Sequence, residues 1–284
     1  MSHSHLWDVW NQSKSIKDTP FTLCGFSIAS LRTSFIVKEL NVMFDAAVSS
    51  PFLPHIIFLT HLHTDHMANL PFSFYNSDHV IIVYVPCGTE KMIEDFIKSA
   101  HPYYNHRSKD PILNYRIIGL IPSTKIKITI KKKDYLLEIF ECYHGEIPCI
   151  GYGLSEIKKK LADEYIGLDK SELVKLKKSG IDITKKTLKH FFLYLGDTSA
   201  EILANPEIAK YSTIMIECTF IDDDEIERAI ETHHIHWIQL KDYILSHPEI
   251  TFILYHFSLR YKKEYIKEFF DDLAIANVIP WISN

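Results

Sequence analysis

The chain has 284 residues, 46% hydrophobic and 24% charged, and no apolar run of the roughly 18 residues that a membrane-spanning helix needs, so membrane, fibrous and wholly disordered classes are excluded. Its 31 Lys and Arg against 36 Asp and Glu give a formal charge of -5, which excludes a uniformly basic coat for nucleic acid but leaves room for a local basic patch. The cysteines, Cys24, Cys87, Cys142, Cys149 and Cys218, are odd in number and lack a C-x-x-C pair, as reduced thiols do, so a metal would need other ligands.

The N-terminus, MSHSHLWDVWNQSKSIKD, carries no apolar signal-peptide core, and the chain reads as cytoplasmic. The histidines at its start are not assigned as ligands. From there, β-branched and aromatic runs predict strands at 21–28, 34–37, 41–44, 56–60 and 80–85. Residues 88–100 follow with helical spacing through Met92, Ile93, Phe96 and Ile97, ending before Pro102. Strands are predicted at 115–120, 125–130 and 135–141, then a helix near 171–178. Strands at 191–195, 214–218 and 251–255 alternate with helices at 236–245 and 262–273. Two runs of strands and helices without a Pro, Gly or Ser-rich linker predict one α/β sandwich domain spanning 1–284, sheets inside and helices outside. The compositional exception is a lysine-rich helical excursion at about 154–190, with ten lysines and six acids between 154 and 189. It is the first candidate for a phosphate-contacting surface, and a solvated helical face accounts for it equally well.

The chemistry concentrates in Thr60-His61-Leu62-His63-Thr64-Asp65-His66, directly after the apolar run Ile56 to Leu59. This H-x-H-x-D-H pattern would arise by chance in roughly one protein of this length and composition in three hundred. At a strand end, alternation aims His61 and His63 the same way while the following turn carries Asp65 and His66 to a second point, an arrangement that feeds two metal ions. More donors are then needed. His144, Asp197 and His256 each stand just after an apolar strand, in Cys-Tyr-His-Gly, Leu-Gly-Asp-Thr and Tyr-His-Phe-Ser.

This ordered set resembles the metallo-β-lactamase superfamily, whose four-layer αββα sandwich holds two metals at one edge. The resemblance implies that His61, His63 and His144 bind one zinc, that Asp65, His66 and His256 bind the other, and that Asp197 bridges them. Manganese or another divalent ion is an alternative to Zn2+. Further residues resemble the ribonuclease Z branch, endonucleases that trim tRNA precursors at the 3′ end: Glu217 in Ile-Glu-Cys-Thr-Phe, His234 in His-His-Ile-His, and the run His256-Phe-Ser-Leu-Arg260-Tyr261. The likeness spans about 35–261 and is greatest to the short, plant-type enzymes, which also share Glu164-Tyr-Ile-Gly-Leu168 and its continuation through 173–184. The chain lacks the Gly-Pro-rich arm with which bacterial forms grip tRNA.

The resemblance implies metal-hydroxide attack on a phosphodiester, with Asp65 as both ligand and general base and His234, oriented by Glu217, protonating the leaving ribose oxygen. His236 is expected to support the site or face solvent. Arg260 and Lys158, Lys159 and Lys160 are candidate substrate contacts, each also readable as an ion-paired or solvated surface charge. Tyr103, Tyr104 and His106 are candidates for base stacking or for loop packing. Precursor tRNA as partner, a homodimer and no membrane association complete the expectation. The alternative is a phosphodiesterase or thioesterase of the same fold acting on small molecules.

Overall fold

The computed structural model describes residues 8–74, 77–104 and 114–283. Two seven-stranded sheets lie face to face. The first holds β1 (Ser13–Ser15), β2 (Thr22–Ile28), β3 (Arg32–Val37), β4 (Val42–Phe44), β5 (Ile56–Phe58), β6 (Ile81–Pro86) and β7 (Tyr115–Leu120) in that order. Antiparallel pairing from β1 to β4 gives way to parallel pairing from β4 to β7. The second sheet runs from β8 (Lys125–Ile130) through β9 (Lys133–His144), β10 (Ile147–Leu161), β11 (Thr184–Tyr194), β12 (Thr213–Glu217) and β13 (Thr251–Tyr255) to β14 (Val278–Pro280). It too is antiparallel first and parallel from β11 onward.

Period-2 alternation builds the layers. Phe35, Phe44 and Phe58 of the first sheet meet Tyr194, Met215 and Tyr255 of the second in the central core, with Phe44 and Tyr194 rings 4.9 Å apart and Phe35 and Tyr255 5.6 Å apart. Their neighbours Ile36, Met43 and Ile57 point the other way, onto Ile93 and Ile97 of α2 (Glu90–Tyr104). Leu193, Ile214, Ile216 and Leu254 likewise pack outward on Leu240 and Ile244 of α5 (Trp237–Ser246) and on Ile266 and Phe270 of α6 (Lys263–Leu273). Each such buried side chain stabilises the fold by roughly 1.5–3 kcal/mol. The result is the expected αββα sandwich.

Several boundaries differ from expectation. α2 continues through Pro102 to Tyr104. β1, β14 and the short α4 (Ile226–Glu231) are too brief to show periodicity. The largest correction concerns the lysine-rich excursion, which is mainly a β-ribbon: β10 and β11 pair from Tyr152↔Tyr194 out to Leu161↔Thr184. Only α3 (Lys170–Lys178) at its tip is an α-helix, started by a capping box in which the Asp169 carboxylate accepts from Ser171 N and Glu172 N while the Glu172 carboxylate accepts from Asp169 N. Beyond the sandwich the ribbon has no core to face, so neither strand alternates and the sequence conceals it. Among the described residues no helix is long and apolar enough to cross a membrane.

Candidate functional site

Parallel strands end together at one rim, and several of these ends carry a polar side chain. His61 and His63 follow β5, with Asp65 and His66 on the one-turn α1 (Thr64–Met67). Asp197 follows β11, Glu217 ends β12 and His256 follows β13, while His144 ends β9 at the hairpin with β10. Donor atoms of His61, His63, His144 and Asp197 lie within 4.8 Å of one another, as do those of Asp65, His66 and His256. Asp197 stands between the two groups: Oδ2 is 3.7 Å from His61 Nε2 and 3.4 Å from His256 Nε2, and Oδ1 is 3.4 Å from His66 Nε2. Asp65 Oδ2 lies 3.5 Å from His256 Nε2 and accepts a 2.9 Å bond from Ser30 N.

The back of each imidazole is held, which decides what its front can do. His66 Nδ1 donates to Asp45 Oδ2 at 2.8 Å, and His144 Nδ1 donates to His233 O at 3.1 Å. Thr60 Oγ1 donates to Asp45 Oδ1 at 2.9 Å and receives His61 Nδ1 at 3.0 Å. Across the site the same device recurs. Thr219 Oγ1 donates to Glu217 Oε2 at 2.6 Å and receives His256 Nδ1 at 3.0 Å, and Glu217 Oε1 takes His234 Nδ1 at 2.7 Å. One buried carboxylate in each sheet therefore orients two imidazoles, one directly and one through a threonine hydroxyl. Held through Nδ1, the imidazoles of His61, His66, His144 and His256 turn Nε2 toward the cluster; His63 turns Nδ1 inward, 3.3 Å from His144 Nε2.

Asp45, Thr60 and Thr219 were not singled out from the sequence. Their only signal is position: Asp45 directly follows β4 with a left-handed φ of 54°, and the threonines flank His61 and Glu217. Asp45 also accepts from Tyr194 Oη at 2.7 Å and from Thr60 N at 2.8 Å.

The electrostatics fit metal ligation. Burial pushes His61, His63 and His144 below the ordinary histidine value, leaving them neutral with a free lone pair, as ligands must be. Burial also works downward on His66, but the Asp197 and Asp45 carboxylates outweigh it and raise this imidazole. Burial would lift Asp197, yet His256, His66 and His61 hold its carboxyl well below the usual range. Asp65 is likewise held ionised against its burial by His256 and His66. His61 Nε2 and Asp197 Oδ1 are buried without a hydrogen-bond partner. An orphaned imidazole nitrogen and an orphaned carboxylate oxygen within one cluster of donors are what a cation satisfies.

The remaining candidates divide. His234 is half-buried beside the buried Glu217 and lines the same cleft as His63, Asp65, His144 and His256. Burial pulls its pKa down, but Glu217 raises it to about 9, so it carries a proton at neutral pH. His236 is the buried N-cap of α5, accepting from Ile238 N and donating to Asp222 O. Arg260 pairs with Glu225 and lies over the Phe220 ring. Lys158 pairs with Glu156 at 3.3 Å. Lys159 and Lys160 are exposed on the β10–β11 ribbon without an ion-pair partner among the described residues. His106 and the histidines at the N-terminus lie outside the described residues, as do the side chains of Tyr103 and Tyr104.

No family model matches the sequence. The chain is similar to tRNase Z TRZ1 of Arabidopsis thaliana, 28% identical over 273 residues that cover 90% of this chain and 92% of that protein. Among solved structures it resembles the short form of human tRNase Z, with a TM-score of 0.56 at 16% identity over 90% of this chain and 94% of that one. It also resembles the metallo-β-lactamase fold protein YhfI of Bacillus subtilis, with a TM-score of 0.55 at 12% identity over 91% and 94% of the two chains.

Proposed function

We propose that this chain, which belongs to the ribonuclease Z family of the metallo-β-lactamase fold, is a metal-dependent endoribonuclease that removes the 3′ trailer of precursor tRNA. The observation that carries the reading is the Glu217–His234 pair, a proton donor opening onto the same cleft as the histidine and carboxylate cluster. His61, His63 and His144 would hold one ion, Asp65, His66 and His256 a second, and Asp197 both. Zinc, or manganese or another divalent ion in its place, supplies when bound a water of near-neutral pKa and a counter-charge for the phosphate oxygens.

The chain's own groups then divide the proton traffic. Asp65, ionised and anchored by Ser30 N, accepts the proton of the attacking water. His234 delivers its proton to the ribose 3′ oxygen as that oxygen leaves. Glu217 is fixed for this by Thr198 N at 3.0 Å and Ile235 N at 3.2 Å, so it stays ionised behind His234 and holds the imidazole charged until the transfer. The lysine-rich ribbon, with Lys159, Lys160 and Lys186 exposed beyond the sandwich, provides a phosphate-tracking surface in place of a Gly-Pro-rich arm. A homodimer, in which one subunit's ribbon serves its partner's cleft, and a cytoplasmic setting for the five free thiols belong to the same proposal. Cleavage of a 3′-extended precursor tRNA, beside a small phosphodiester as control, tests it. Turnover of the small diester alone would replace this reading with a general phosphodiesterase.

A further inference from the structure

A second cleft, of about 440 Å³, adjoins the metal-ligand cluster, and Gly145, Glu146, Ile147 and His233 wall both. Its shape is set by the β9–β10 hairpin. Gly145 and Glu146 form a two-residue turn, with Gly145 at φ +63° where such a turn favours glycine. A Cβ at Gly145 would fall 2.9 Å from His233 Cδ2, so the tip is packed against the residue preceding His234. Tyr143, one residue before His144, has its backbone clamped: its N–H donates to Thr198 Oγ1 at 2.9 Å and its carbonyl accepts from Ser199 N at 2.8 Å. The residue as a whole stays 37% exposed, next to Ile147 at 38% and the exposed Pro148.

This is a flat, partly apolar surface of the kind on which a base stacks. The polar groups around it select against a phosphate. Glu141, Glu146 and Glu201 line the cleft and no lysine or arginine does, so a backbone anion is repelled while an amino group is welcome; a carboxylate is the natural acceptor for an exocyclic base amine. Ser199 Oγ, buried in the wall, has no hydrogen-bond partner.

We propose that this cleft is the subsite for the nucleobase immediately 5′ of the cleaved bond, and that it favours cytosine, adenine or guanine over uracil. The inference rests on the ribonuclease reading. Its direction follows from His234: the nucleoside whose 3′ oxygen receives that proton must lie on the His233 side, where the two clefts join.

Cys87 provides the probe. It lines the cleft and is the exposed thiol of a chain whose other four cysteines are buried. In the zinc-loaded protein, cytidine or adenosine 5′-monophosphate slows maleimide labelling of Cys87 several-fold and uridine 5′-monophosphate does so less; equal rates with all three overturn the proposal. In cleavage, a precursor tRNA made abasic at the nucleotide 5′ of the scissile bond loses roughly tenfold or more in kcat/KM, mainly through KM. Tyr143→Ala reproduces that loss on the intact substrate with unchanged zinc content, and Glu146→Gln narrows the preference against uracil. Undiminished cleavage of the abasic RNA would remove the subsite and leave the ribonuclease reading standing. Absence of cleavage of every RNA, with Cys87 labelling indifferent to nucleotides, would remove both.

Discussion

Glu217→Gln removes the largest of the charges that raise His234, and its effect can be worked from the site. His234 Nδ1 lies 2.7 Å from Glu217 Oε1, and the pair raises the imidazole from an ordinary 6.5 to about 9, roughly 3 kcal/mol of preference for the charged form. Because the folded value is the higher one, this contribution to stability is fully present below pH 6.5 and is lost between 6.5 and about 9. In the glutamine variant the Glu217 charge disappears while burial and the Asp197 charge remain, so the imidazole titrates lower than in the native protein. The histidine Cε1 proton shifts, followed against pH in chelated protein, report both titrations. The kinetic counterpart is a high-pH loss of cleavage in the native enzyme that moves to lower pH in the variant, with kcat falling roughly 10²–10⁴-fold at neutral pH. An unperturbed His234 in the native protein, or the same titration in both, would refute the proton-donor assignment.

Other consequences follow from the same geometry. Asp65→Ala abolishes cleavage while leaving tRNA binding, measured by filter retention, largely intact; retained turnover would contradict its role as proton acceptor. Asp45→Asn loosens both His66 and, through Thr60, His61, weakening metal binding roughly 10–100-fold in competitive chelator titrations, and unchanged affinity would show that the carboxylate does not orient them. Replacing Lys159, Lys160 and Lys186 with alanine raises KM for precursor tRNA and flattens the salt dependence of binding by roughly 2–3 in log-log slope, whereas an unchanged slope would place the RNA elsewhere.

The parts of this structure legible in the sequence are those under two constraints at once. Strands β4, β5, β12 and β13 are buried on both faces, so their runs of Val, Ile, Leu and Phe stand out, and the polar residue that ends each is conspicuous against them. That contrast is why His61 and His256 stood out from the sequence, as Asp197 did after the buried end of β11, whereas Glu217 was legible through the ribonuclease Z resemblance. Asp45 sits just as suggestively after Phe44, but a lone aspartate after a strand is ordinary turn chemistry, and only the fold reveals that it faces Thr60, His66 and Tyr194. The lysine ribbon escaped for the opposite reason. Residues 156–161 and 184–190 lie beyond the sandwich, and strands without a buried face carry no period to read. Arg260 shows a third limit: its charge was visible, but its partner Glu225, 35 residues earlier, was not.

Counting metal in the purified protein while following its cleavage of a 3′-extended precursor tRNA in the same preparation joins metal and activity in one experiment. Two divalent ions per chain are expected, with a single cut that leaves a tRNA with a free 3′ hydroxyl, lost on chelation and restored by zinc. A protein that holds no metal, or cuts this RNA equally well without it, would contradict the account.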